Sequence, residues 1–148
     1  MTDLKLMFEW SDTYSVHIGS IDAQHQNLFA IARELHTAML AGQAKASLAK
    51  ILDRLVQYTA SHFAHEERLM RLNDYPDLPA HKAEHDALTA QVKTFHADFQ
   101  AGRVILTVQL LQFLKDWLQK HIKGSDMKYV PCLQGPNLQT AGSQSRTF

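Results

Sequence analysis

The chain has 148 residues, 45% of them apolar, with 15 basic and 15 acidic side chains. That length suits one domain with a real core, and the apolar share excludes a disordered chain. The balanced charge, with no basic stripe, argues against nucleic acid or an anionic membrane as partner, and no apolar run nears the roughly 20 residues of a membrane span.

The opening MTDLKLMFEW is too short and too acidic for a secretory signal. The single cysteine, Cys132, rules out an intrachain disulfide. These features read as a cytoplasmic protein, expected to be a monomer. Nine histidines stand out.

Residues 1–19 contain FEWSDTYSVHIG, an irregular arm with aromatic anchors suited to packing across helices. A first helix is predicted from about Ile21 to Leu40, with Asp22 in its opening turn and Gly42 as its stop. A second runs from about Ala46 to Leu72, and the two prolines of NDYPDLPA break it. A third runs from about Pro79 to Ala101 and stops at Gly102. A fourth runs from about Ile105 to Ile122, with Gly124 marking its end. Nothing alternates with period two for long enough to need a sheet. Short links between helices of similar length predict an all-α, antiparallel up-down-up-down four-helix bundle. The expected division is a bundle with its arm over residues 1–130 and a polar, flexible tail over 131–148.

Each helix carries metal-binding side chains on its apolar face. In the third, the stripe Leu88, Val92, Phe95 and Phe99 extends back to His85 and His81. Side chains one turn apart lie about 5–6 Å apart at Cβ, so both imidazoles reach one ion. In the second, the face of Leu48, Leu52 and Leu55 continues to His62 and Glu66. In the fourth, Leu110, Leu114 and Trp117 lie within about 20–40° of His121 on a 100° wheel, and Asp126 follows just past Gly124. In the first, His25 heads the stripe of Leu28, Ala32, Leu35 and Met39. Alternate helices of an antiparallel bundle run in opposite directions, so His25, His62, Glu66, His81, His85 and His121 all fall at one end, and the chain can bend past Gly124 to aim Asp126 back at the bundle.

A lone buried histidine is ordinarily a hydrogen-bonded core residue. A whole group of imidazoles and carboxylates buried together carries a large desolvation cost unless something binds them. Metal coordination is the economical solution. The same test sets aside the others: His17 lies in the arm, and His36 and His96 sit one residue off their stripes, at the surface or boundary. His65 flanks the site, and Glu67 points away from it.

The segments IDAQH (21–25), HFAHEE (62–67), HKAEH (81–85) and HIKGSD (121–126) resemble the hemerythrins, in particular the single-domain bacterial hemerythrins. The resemblance spans about Trp10 to Val130. It implies a non-haem di-iron centre with an oxo or hydroxo bridge. His81, His85 and His121 would hold one iron, His25 and His62 the other, and Glu66 and Asp126 would bridge them. Two octahedral ions need about twelve bonds, and these ligands with the bridge leave one position open, which invites a small ligand. Five neutral donors and only two carboxylates favour carrying oxygen over using it. The resemblance also implies an apolar oxygen pocket of Leu28, Phe63, Trp117, Leu118 and Ile122. Leu114, two turns before His121, suits a gas access route.

The function expected is reversible dioxygen binding for storage, transport or delivery to an oxygen-consuming client. The alternatives are a di-iron enzyme consuming peroxide or nitric oxide, an iron donor for cluster repair, or an oxygen sensor. No catalytic residue is assigned on the first reading.

Overall fold

The computed structural model describes residues 8–141, with side chains through residue 134. It is an all-α bundle of α1 (Gly19–Leu40), α2 (Lys45–Leu72), α3 (Leu78–Gln100) and α4 (Val108–Lys120). A π-helical turn (His121–Asp126) leads from α4 into α5 (Met127–Ala141). Among the described residues there is no strand and no helix long and apolar enough to cross a membrane.

The links follow from local chemistry. Gly42 and Gly102, with φ of 68° and 79°, take the left-handed backbone that ends α1 and α3; only glycine does so without a Cβ penalty. Pro79 sits in the first turn of α3, where a missing N–H costs nothing. Thr107 caps α4 by accepting from the Leu110 N–H at 3.1 Å.

The structure corrects the predicted end of the fourth helix. Gly124 does not stop it. The helix widens by one residue per turn and then continues through Pro131 to Ala141. In an α-helix, positions five apart differ by about 140° around the axis. The wider π turn removes most of that offset, so His121 and Asp126 face the same way. Residues 131–141 are therefore the rest of a helix, and the remainder of the expected tail, 142–148, lies outside the described residues.

Two apolar clusters enclose the end of the bundle where the histidines meet. The larger runs down its length and includes Leu28, Phe29, Leu35, Leu52 and Leu111. The smaller, of Val16, Ile21, Met70, Tyr75 and Tyr129, closes the far side. The arm is anchored as its aromatic residues suggest. Trp10 and Tyr14 pack on Phe29 at ring separations of 5.7 and 4.9 Å, and Arg33 donates to the Phe8 carbonyl at 2.8 Å.

Candidate metal centre

All seven side chains singled out as ligands converge. Ligand atoms of Glu66, His81, His85, His121 and Asp126 lie within 4.8 Å of one another, as do those of His25, His62 and Glu66. Every one of these residues is at most 5% exposed.

The carboxylates divide their oxygens between two groups of imidazoles. Glu66 Oε1 lies 3.2 Å from His85 Nε2 and 3.9 Å from His81 Nε2, while Oε2 lies 3.5 Å from both His25 and His62. Asp126 Oδ1 lies 3.0 Å from His81 and 3.1 Å from His121, while Oδ2 lies 3.2 Å from His25. Each carboxylate thus faces two members of the trio His81, His85 and His121 with one oxygen, while its other oxygen faces His25, joined by His62 in the case of Glu66.

This donor set fits a pair of cations. Both nitrogens of His25, the His81 Nε2, both Asp126 oxygens and Glu66 Oε1 are buried without a hydrogen-bond partner. Buried polar atoms left so would cost about 1–3 kcal/mol each. Cations held between them would satisfy all of these except His25 Nδ1, on the far side of its ring from the carboxylates. The charge states suit the same task. Burial and Asp126 push the Glu66 carboxyl up, but His62, His25 and His85 outweigh them and hold it down at about 2. Burial lowers His62 to about 4, against the pull of Glu66, leaving its lone pair free. Burial also opposes protonation of His25, but the adjoining Asp126 and Glu66 raise it to about 9. A metal ion would have to displace that proton.

Sequence reasoning missed the groups that orient the imidazoles. His62 Nδ1 donates to Gln24 at 2.7 Å, His85 Nδ1 to Glu67 at 2.8 Å, and His121 Nδ1 to Glu84 at 2.9 Å. Each bond leaves Nε2 facing the centre, the tautomer a metal ligand needs. Ser125 donates to Glu84 at 2.6 Å and holds the third clamp. Glu67 therefore points away from the centre, as expected, yet onto the outer face of His85. The available signal was adjacency: Gln24 precedes His25, Glu67 follows Glu66, and Glu84 precedes His85. Tyr129, fully buried, donates to Glu66 Oε2 at 2.5 Å. Burial foremost, then the nearby carboxylates, drive its phenol pKa upward, so it stays a donor. Two rings brace the imidazoles from the bundle side. Phe63 stacks on His85 at 3.7 Å and Trp117 on His121 at 4.4 Å.

The other histidines separate from the centre. His17 is exposed in the arm. His65 bonds Ser20 Oγ at 3.0 Å, and half-buried His96 pairs with Asp53. His36 departs from expectation, being only 3% exposed with Nε2 unpartnered. The core face of α1 is broad enough to include both Leu35 and His36, wider than the single stripe the wheel suggested.

A cavity of about 300 Å³ adjoins the centre, and Leu28, Phe63, Trp117, Leu118 and Leu114 line it. Ile122 packs in the core cluster instead. The cavity's near wall includes Leu28, one turn from His25, and Thr59 and Phe63, which flank His62.

Comparison with known proteins agrees with this geometry. The Hemerythrin HHE cation binding domain matches residues 16–133. The Bacteriohemerythrin of Methylococcus capsulatus is 34% identical over 130 residues, covering 88% of this chain and 98% of that protein. That of Stenotrophomonas maltophilia is 38% identical, covering 82% and 78%. The Myohemerythrin of Riftia pachyptila is 33% identical, covering 82% and 90%. A crystal structure of wild-type hemerythrin superposes with a TM-score of 0.82 at 34% identity, covering 85% of this chain and 97% of the other. With its buried cluster of metal-binding histidines and carboxylates and these relatives, the chain belongs to the hemerythrin family.

Proposed function

We propose that this protein binds dioxygen reversibly at a non-haem di-iron centre and stores it or delivers it to an oxygen-consuming protein. The observation that carries this reading is the division of both carboxylates between the histidine trio and the histidine pair. On this reading, His81, His85 and His121 hold one ion, His25 and His62 the other, and Glu66 and Asp126 bridge them. An iron pair held there would supply the two electrons that dioxygen takes up and returns.

The chain's own residues do the rest. The pair side offers fewer protein donors, and the cavity wall of Leu28, Thr59 and Phe63 lies beside it. Gln24, Glu67 and Glu84 hold the imidazoles in one tautomer. Tyr129 keeps Glu66 oriented and partly satisfied. The apolar wall excludes water and so disfavours loss of charged oxygen products.

The test is stopped-flow spectroscopy of the reduced protein mixed with oxygen. An oxygenated spectrum that reverses on removing oxygen, and decays slowly, supports the carrier. Repeated turnover of peroxide or nitric oxide with a reductant, and no reversible spectrum, would replace it with an enzyme.

A further inference from the structure

The cavity beside the metal centre is larger than a diatomic gas requires. Its volume is about 300 Å³, roughly twice that of an engineered apolar cavity of ~150 Å³ that stays dry and takes up benzene. All four bundle helices contribute apolar walls, among them Ala32, Leu52, Leu88, Phe95 and Leu110. Thr59 and Gln91 are the polar residues lining it, and no charged side chain does. The Thr59 hydroxyl is already committed, donating to the Leu55 carbonyl at 2.7 Å. Exposed Gln91, with Phe113 at 40% exposure, marks the outer end between α3 and α4. Water inside would find few partners, and the wall atoms forfeit dispersion contacts while nothing fills the space.

We propose that this cavity binds a neutral apolar organic molecule of about ten carbon atoms, an alkylbenzene or alkyl chain with at most one uncharged polar group. The tail would lie among the leucines and Phe95, and the polar group at Gln91. Apolar burial on both partners supplies the affinity. A carboxylate is excluded because no cation lines the walls to offset its desolvation. Phe63 and Trp117, which stack on His85 and His121, form part of the inner lining. An occupant therefore lies across the approach to the metals and slows oxygen entry. That consequence rests on the oxygen-binding reading; the binding itself does not.

The probe is n-butylbenzene added to oxidised, iron-loaded protein, read as a shift in melting temperature. A ligand that binds only the folded state must raise it. 1-Octanol should act likewise, and octanoate should not. Leu110→Trp and Val92→Phe each fill part of the cavity, and whichever folds should lose most of the shift. A readout independent of those variants is Trp117 emission in a Trp10→Phe background, which leaves Trp117 as the remaining indole of two. It should change on adding butylbenzene. No shift and unchanged emission in the unfilled protein overturns the proposal, as does an undiminished shift in the filled variants. An equal response to octanoate overturns the neutral-ligand assignment. Reversible oxygen uptake, measured without additive, tests the metal reading separately. If butylbenzene binds but oxygen uptake is absent, the binding site stands and its gating role falls.

Discussion

The Tyr129 hydroxyl sits 2.5 Å from Glu66 Oε2, deep between the bundle and the smaller apolar cluster. Tyr129 lies past the π turn, and Glu66 lies on α2. One hydrogen bond thus ties the start of α5 to the carboxylate proposed to bridge the two ions. Tyr129→Phe removes it and leaves a charged acceptor short of one donor. Stability of the loaded protein should fall by about 1–3 kcal/mol, and iron affinity about 10–100-fold. Chelator competition and thermal melting check both. Iron affinity equal to wild type would reduce Tyr129 to core packing.

Removing a ligand should be more severe than removing its support. The wild-type protein is expected to carry about two irons per chain, the number a paired octahedral site implies. Glu66→Ala deletes a proposed bridge and should empty the site, whereas His25→Ala should leave the trio able to hold an ion. Metal analysis of protein made with ample iron decides the matter. One zinc per chain in the wild type would falsify the di-iron assignment.

Glu84 offers a cleaner test of the outer clamps, because it is half exposed at the surface. Glu84→Ala frees His121 Nδ1 and Ser125 without opening the core. Iron should be lost to a chelator about 10–100-fold faster, while the helical content of the protein stays unchanged. Iron loss at the wild-type rate would mean that Trp117 stacking alone orients His121.

The histidines outside the centre should be dispensable for metal. His65→Ala should keep both irons and change stability by less than about 0.5 kcal/mol. His36→Ala should also keep both irons, but it removes a buried ring and should cost about 1–3 kcal/mol. Iron analysis and melting of the two variants make the check. An iron-free His65→Ala protein would contradict the separation of ligands from neighbours.

Leu114 lines the cavity from α4 and is only half buried. Leu114→Ala should therefore cost less than a fully buried leucine, about 1–3 kcal/mol. It enlarges the space next to Trp117, so water and oxygen should reach the centre more readily and autoxidation should speed up at unchanged iron content. The rate is to be measured well below the melting temperature. An unchanged rate in loaded protein would leave Leu114 as packing alone.

The four helices of the bundle, the direction of each and the gathering of six candidate donor side chains at one end were legible in the chain itself. Each follows from helical periodicity and short links, which are local properties. The tertiary structure decided what one helix's periodicity cannot. A wheel drawn at 100° per residue cannot show that the fourth helix widens at His121, because the widening is defined by its hydrogen bonds and is what turns Asp126 onto the His121 face. Gly124 looked like a stop, yet the helix runs on and brings Tyr129 under Glu66. The clamps Gln24, Glu67 and Glu84 sit beside ligands in sequence, but each grips an imidazole from another helix. That pairing depends on how helices pack, as do the burial of His36 and the space left between α3 and α4. The type and helix face of each candidate donor are written in local sequence, whereas their orientation and the shape of the cavity arise only when helices meet.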